Sequence, residues 1–526
     1  MGATLRAVRA LVLLAGFYLL GFALLGGLAA LDWAVAGHGS AALKIWVISA
    51  LVAIPIVKGM FALRPPEDEE PDGIRVTEDQ EPALWALVRS LAEQTGTRAP
   101  DEIYLVPEVN AAVSEESRLL GLRPGKRRLL VGLPLLTGLD EAQLTSVLAH
   151  EFGHYSNHDT RLSAITRRGW TQVVRTVAAL QERSNKKRSA EEAKQEKKQA
   201  ARVAKGKKAR EVDAGAAGLT YRLAALPFKG YGHLYLRATR GTMRRQEYAA
   251  DLAAARIAGR DATASALREI PLLSSAFGFY MDSYATLGAR AGLLPPRGEV
   301  FGGLRHLLAA RSAELDELRR GVPEEDPSPY DTHPPIADRV ARIEQLPEDG
   351  RSHDGARPAL ALLTDAGRSL AELEDVALTP EARKLERAAD WPALVHTSLT
   401  RYAAASAEPL AQAARDLHGG DGSLPKVLDA LDAGLLHRLA SSDDTDASSA
   451  HEHRDGVRDQ VRGALQALTV GHLEAHGQAR WELSWTEAAT LRLPEGYEAA
   501  LDTALDAAVA DTPDTRPLRH LLAPRY

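Results

Sequence analysis

The sequence contains no cysteine. That excludes disulfides, thiolate nucleophiles, iron–sulfur clusters and cysteine-type zinc sites, and leaves His, Asp and Glu as the side chains able to hold a metal. It also removes any reading of the redox compartment. An excess of positive charge is missing too: 64 Lys and Arg stand against 70 Asp and Glu, a formal charge of −6. The molecule as a whole has no surplus of cation with which to hold nucleic acid, so no nucleic-acid partner is expected and any basic patch is local. With 526 residues and 56.7 kDa, the chain is long enough for two or three cores.

What is present begins at the N-terminus. Ala10 to Leu31 is an uncharged apolar run of about the length that crosses a bilayer as a helix. A second run, Ile45 to Leu63, is broken only by Lys58 near its end, where the side chain can snorkel to the interface. Ala34-Val35-Ala36 has the look of a signal-peptide processing site, but the first run is longer than the usual h-region of about 7–15 residues. Arg6 and Arg9 precede the first run, and Lys58 and Arg64 close the second, while the loop between carries Asp32 and Lys44. The positive-inside bias then puts both ends of the hairpin in the cytoplasm. The expectation is a multi-pass protein of the cell membrane, with the lipid bilayer as partner and the bulk of the chain facing the cytoplasm.

After the acidic, proline-rich linker Pro65 to Gly73, short strands are expected at Ile103 to Val106 and Arg128 to Val131. Gly138 breaks the chain, and Asp140 with Gln143 forms a capping-box pattern that opens the helix AQLTSVLAHEFGHY. Between Arg183 and Glu211 the composition turns to Lys, Glu, Ala and Gln with almost no large apolar residue. Such a stretch buries no core; it reads as a solvated linker or exposed charged helix, or as a polybasic contact with anionic lipid. The flanking segments ITRRGWTQVVRTVAAL and AAGLTYRLAALPFKGYGHLYL carry several charges and read as amphipathic or interfacial helices. From about Arg351 onward strand-like runs are lacking, and helical periodicity points to a separate all-α C-terminal domain. The boundaries expected are 1–64 for the membrane hairpin, 65–350 for a central domain with the insert 183–212, and 351–526 for the helical domain.

The chemistry lies in His150-Glu151-Phe152-Gly153-His154, an H-E-x-x-H pattern. On a helix, the i, i+4 spacing stacks both imidazoles on one face, within reach of one ion. Zinc suits such donors and keeps a position open for water, from which Glu151 takes a proton. A third ligand is needed, and the sequence after His154 lacks the register that would supply a third histidine; His158 is out of step. Glu247 on a later helical segment is the alternative, with Asp251 one turn on, able to orient a ligand histidine through its free ring N–H. The same two acids would equally pair with neighbouring arginines on a solvated face.

With these residues in view, the chain resembles the HtpX-like and CAAX-prenyl-endopeptidase-like membrane metallopeptidases, which combine H-E-x-x-H with a later R-x-x-E-x-x-A-D. Arg244, Glu247, Ala250 and Asp251 match that second motif position for position. The resemblance implies a zincin-like protease domain with a small edge sheet, one zinc ion held by His150, His154 and Glu247, and Arg244 and Asp251 behind the ligands. Asn110-Ala111 is similar to the family's substrate-edge signature, and Thr332-His333-Pro334-Pro335, followed by Arg339-Val340, to its downstream His-Pro element. The resemblance therefore implies that Asn110 and Ala111 bind substrate and that His333 steadies the tetrahedral intermediate. It covers roughly Arg75 to Leu346; relatives of the HtpX type have two further spans between the zinc motifs, where this chain has charged, marginally apolar helices and the insert.

The fold expected is α+β and mainly helical, and the function that of a zinc metalloendopeptidase acting on protein or peptide substrates. The alternative is a membrane-tethered scaffold or regulatory binding protein on a protease-like fold. His472-Leu473-Glu474-Ala475-His476 also spaces two histidines by four, but its glutamate falls on another face, and it reads as surface. His451-Glu452-His453 reads as solvated loop. Tyr155 and Tyr248, next to the ligands, are expected to turn away into packing.

Overall fold

A computed structural model describes residues 3–61, 71–118, 123–156, 160–203, 218–320, 334–351, 355, 357–440 and 450–523. The chain divides into two compact units. The first comprises residues 1–106, 110–271 and 319–364, and the second residues 107–109, 272–318 and 365–526.

In the first unit, helices α1 (Ala3–Ala34) and α2 (Ser40–Phe61) form the apolar hairpin. Both contain a stretch long and apolar enough to cross a membrane, Leu11–Ala34 and Ser40–Phe61. Asp32, expected in the loop, falls in the last turn of α1, where Ser49 Oγ donates to its carboxylate at 2.8 Å and Trp46 Nε1 to its carbonyl at 3.0 Å. Helices α6 (Thr160–Val203) and α7 (Leu219–Ala258) pack on this hairpin. Phe17, Val52, Ile56, Met60, Val173, Leu180, Tyr221, Ala225 and Phe228 form one shared core.

Glycines set the closeness of that packing: a Cβ on Gly59 would stand 2.2 Å from Thr176 Oγ1, and one on Gly232 3.2 Å from Val173. Helices in contact through small residues bring their backbones together and gain dispersion contacts along their length. The outward faces stay apolar, with Leu19, Phe22, Trp46 and Ile54 exposed on the hairpin and Leu219, Leu223, Leu226 and Leu234 along one side of α7. Beyond Leu180, α6 runs on as an exposed helix through Lys186, Lys187 and Arg188, the second of the two bland readings of the charged insert.

The sheet of this unit has four strands in the order β1-β2-β4-β3: β1 Ile74–Val76, β2 Glu102–Val106, β3 Ala111–Arg118 and β4 Arg123–Gly132. β2 runs parallel to β4, and β3 pairs antiparallel with β4 from Ala111 opposite Val131 onward. The apolar runs anticipated in β2 and β4 form the buried middle, whereas β3 is an edge. Helix α3 (Pro82–Gln94) buries Leu84, Val88 and Leu91, and α4 (Leu133–Gly138) follows β4 directly.

Helix α5 (Glu141–Ser156) opens at the capping box that the sequence announces. Gln143 N donates to Asp140 Oδ1 at 2.7 Å, and Asp140 N to Gln143 Oε1 at 3.0 Å. The same Gln143 reaches Ser265 Oγ at 2.8 Å, and Ser146 reaches Thr263 Oγ1 at 2.9 Å, fastening α5 to α8 (Arg260–Tyr280).

The second unit is mainly helical, but it is not all-α as expected. Leu293–Leu294 pairs in parallel with Glu386–Arg387, and Arg480–Glu482 pairs antiparallel with Thr490–Arg492. These strands are two or three residues long, too short to show as apolar alternation against a helical background. Its largest core joins Leu410 and Ala414 of the helix Trp391–Leu417 with Leu424–Asp432, Val461 and Leu465 of Ala450–Ala475, and Leu501 and Leu505 of Tyr497–Ala508. A second cluster stacks Trp485 between Tyr284 and His306, at ring separations of 4.7 and 5.4 Å.

Candidate metal centre

The centre is built from α5 and α7. Leu148, Ala149 and Phe152 of α5 are buried, so the opposite side of that helix anchors it while His150 and His154 face α7. At Gly153 the two helices come close: a Cβ there would lie 3.1 Å from Ala250 Cα and 3.3 Å from the Cβ atoms of Ala250 and Ala253. Small residues on both helices therefore set the distance across which the side chains must meet.

They meet as a donor set. His150 Nε2 and His154 Nε2 are 3.2 Å apart, and the two Glu247 oxygens stand 3.6 Å from one ring nitrogen each. Ligand atoms around a tetrahedral zinc at about 2.0–2.1 Å are separated from one another by about 3.3–3.4 Å. The triangle of two imidazole nitrogens and a carboxylate thus has the dimensions and the chemistry of a zinc site. A Glu151 oxygen completes a group with the two histidines in which all three ligating atoms lie within 4.8 Å.

Behind the ligands, His150 Nδ1 is 2.9 Å from Asp251 Oδ1. An N–H donated there leaves the Nε2 lone pair free for a metal. Asp251 is in turn gripped by Arg339, on the helix Ile336–Glu344, whose Nη2 donates to Oδ1 at 2.6 Å and Nε to Oδ2 at 2.9 Å. Burial works against the charge of all three groups, yet the contacts prevail. Burial pulls the His150 pKa down, but its bonds to Asp251 and Glu247 lift it to about 9. Burial raises the Asp251 carboxyl, and His150 and Arg339 together hold it below the usual carboxylate range.

The remaining expected residues fall in three groups. Ala111 opens β3, and Asn110 accepts from Gly132 N at 2.7 Å. Because that bond marks a hydrogen-bonded pair, alternation along the antiparallel ladder turns the main-chain groups of Ala111 and Val113 away from β4, where the Val113 carbonyl is met by the Tyr155 hydroxyl. Arg244 lies on α7 one turn before Glu247, and its Nε is buried with no hydrogen-bond partner among the described residues. His333, with Thr332 and His158, lies outside the described residues.

Two residues went unassigned by sequence reasoning. Arg339 stood only as a motif neighbour, and its signal was its place six residues beyond His333 in the resemblance. Tyr155 was expected to turn into packing, and it half does. Its ring lies 4.8 Å under the Arg127 guanidinium, while its hydroxyl donates to Val113 O at 2.6 Å and so ties the ligand helix to the edge strand. Tyr248 packs under Arg342.

Against known proteins, residues 78–346 match the family described as peptidase family M48, just over half of the chain. A protein named protease HtpX homolog from Listeria monocytogenes serotype 4b is 36% identical over 89 residues, covering 17% of this chain and 28% of the relative. Another of that name from Tropheryma whipplei is 34% identical over 93 residues, 17% of this chain and 30% of the relative. The match thus spans less than a third of the length of these relatives. Among solved structures, that of S. mikatae Ste24p overlaps 64% of this chain and 67% of its own at 14% identity, with a TM-score of 0.28.

Proposed function

Since the chain belongs to peptidase family M48, we propose that it is a membrane-anchored zinc metalloendopeptidase, with His150, His154 and Glu247 as ligands and Glu151 as general base. The observation that carries this reading is the convergence of two Nε2 atoms and the Glu247 carboxylate at 3.2–3.6 Å, backed by Asp251 on His150. Zinc held there supplies a polarised carbonyl and a water whose pKa is brought toward neutrality. The remaining work belongs to the chain. An extended peptide pairs with the outward main-chain groups of β3 near Ala111, which aligns its backbone beside the ligands. Glu151 takes a proton from the attacking water and returns it to the leaving amine. Asp251 and Arg339 hold the His150 ring in one tautomer and orientation while this happens.

The α1–α2 hairpin fixes the enzyme to the bilayer with both hairpin ends in the cytoplasm, and the Lys- and Arg-rich extension of α6 has the charge to attract anionic headgroups. Because the native chain has no cysteine, single cysteines at Gly37 and Arg89 report the topology directly. Gly37 is expected to label from outside intact cells and Arg89 only after lysis.

The decisive experiment compares the detergent-solubilised protein with Glu151→Gln. The native chain is expected to contain zinc and to cleave an unfolded protein such as casein. Glu151→Gln is expected to keep its zinc and lose activity by about 10²–10⁴-fold. Cleavage by Glu151→Gln at the native rate, or a native chain that takes up no metal, defeats the assignment.

A further inference from the structure

His154 stands in the last turn of α5, which ends at Ser156. Helix ends fray, because their last carbonyls lack partners within the helix. A metal ligand in that turn needs an anchor from outside the helix, and the next residue, Tyr155, supplies two. Its ring lies 4.8 Å under the Arg127 guanidinium, and its hydroxyl donates to Val113 O at 2.6 Å. Arg127 is itself pinned. Its Nη1 donates to Arg98 O at 2.6 Å, its Nη2 to Glu115 Oε2 at 3.3 Å, and its main-chain N to Asp101 Oδ2 at 2.7 Å. Tyr155 is thus held between β4, which carries Arg127, and the edge strand β3, which carries Val113.

The carbonyl that Tyr155 takes is one of the few a substrate strand would use. Asn110 O accepts from Gly132 N, and the ladder then turns the N–H and C=O of Ala111 and Val113 away from β4. Those are the groups with which an added strand pairs. In either strand direction, the carbonyls of Ala111 and Val113 take N–H groups two residues apart on the added strand. Val113 O already holds a donor, nearer at 2.6 Å than the roughly 2.9 Å of a peptide nitrogen. The residue that makes this bond follows the ligand His154 directly, with about 3.8 Å between their Cα atoms. One side chain therefore touches the substrate strand and sits next to the metal ligand.

We propose that Tyr155 is a positioning residue that sets the register of the peptide. It fixes the spacing between His154 and β3, and it withdraws the Val113 carbonyl from substrate pairing, so that Ala111 alone accepts a main-chain N–H from the substrate. The proposal rests on the protease reading above and adds to it what aligns the peptide with the metal. A misplacement of about 1 Å between reacting groups costs on the order of 10²-fold in rate, which is the scale at which such an anchor acts.

The test uses the full chain in detergent micelles and peptides sharing one core, in which each main-chain amide other than the one cut is replaced in turn by an ester. An ester removes one N–H and keeps every side chain. Binding is read by fluorescence anisotropy on zinc-loaded Glu151→Gln protein, with Tyr or Phe at position 155. With Tyr155, one ester position is expected to weaken binding by about tenfold, where the lost N–H met Ala111 O. With Tyr155→Phe, a second sensitive position is expected two residues from the first, because Val113 O is released. On the chain with its native Glu151, Tyr155→Phe is expected to lower KM by about threefold and kcat by about tenfold at unchanged zinc content, a split that loss of packing alone does not give. Zinc content and thermal midpoint identify a variant that has merely misfolded, and the ester scan on Tyr155 then decides without it. Two sensitive positions two residues apart with Tyr155 in place, an identical scan in Tyr155→Phe, or an unchanged kcat overturns the proposal. If the scans come out as expected but the native chain cuts none of the peptides, the role of Tyr155 in register stands and the protease reading is what fails.

Discussion

The chain presents two histidine pairs at the same helical spacing, and they come to opposite ends. His150 and His154, in the first unit, bring their Nε2 atoms to 3.2 Å, and a carboxylate from a second helix closes the triangle. His472 and His476, in the second unit, also place their rings together, with centroids 4.3 Å apart. There the intervening acid turns inward: Glu474 is buried and accepts from Thr400 Oγ1 at 2.8 Å. His476 instead places Nδ1 2.7 Å from the His472 carbonyl, in the last turn of its helix, and burial together with the neighbouring ring lowers the His472 pKa. Spacing along one helix stacks two imidazoles; a metal site also needs a third donor across the groove and a partner for the far ring nitrogen.

The largest effect that separates the two pairs is expected from Glu247→Ala. It removes the third donor and should abolish zinc retention after dialysis, whereas a His472→Ala, His476→Ala double variant should keep the native metal content. Equal losses in both would erase the distinction. Asp251→Asn sharpens it further, because it leaves the three proposed ligands in place and changes only what stands behind His150. Metal affinity is expected to weaken about 10–100-fold by competition with a chelating dye, and Arg339→Gln to move it the same way by less. Unchanged affinity in both would make the Asp251–Arg339 pair a packing feature alone.

A smaller effect is expected from Gly153→Ala, which presses a methyl group against Ala250 and Ala253. Overpacking there should destabilise the protein by about 1–3 kcal/mol and loosen metal binding, while Gly471→Ala, with open space around its Cα, should do neither. The smallest concerns pH in the metal-free protein. His150 holds its proton more tightly folded than unfolded, with a pKa of about 9 against 6.5. The stabilisation is therefore complete below about pH 6.5 and is lost as pH rises toward 9. The thermal midpoint of the metal-free protein should fall across that window, and Asp251→Asn should flatten the fall; a flat native profile would show that Asp251 does not hold the proton on His150.

Legibility in the sequence followed the range of the interaction. The capping box of Asp140 and Gln143, the two apolar runs, and the strands at Ile103–Val106 and Arg128–Val131 are set by neighbours a few residues apart, and each stands where its residues place it. β3 was legible only as an expected edge near Asn110, because the polar run Ser114-Glu115-Glu116-Ser117 at an exposed sheet edge lacks alternation. The hairpin at Arg480–Glu482 was missed for the related reason that three residues do not make a period. Helices α6 and α7 carried too much charge to read as partners of the apolar hairpin. Their buried sides, from Val173 and Leu180 to Tyr221 and Phe228, are nonetheless continuous with it.

The sequence by itself determined the apolar hairpin, the helix that stacks His150 over His154, and the family. These rest on local periodicity and on short motifs whose residues act within one or two turns. Only the tertiary structure decided that Glu247 faces both imidazoles, that Arg339 grips the acid behind His150, and that Tyr155 holds the edge strand to the ligand helix. Contacts between residues far apart in the chain depend on how closely two helices approach. That distance is set by the small residues Gly153, Ala250 and Ala253 acting together, and no one stretch of sequence contains it.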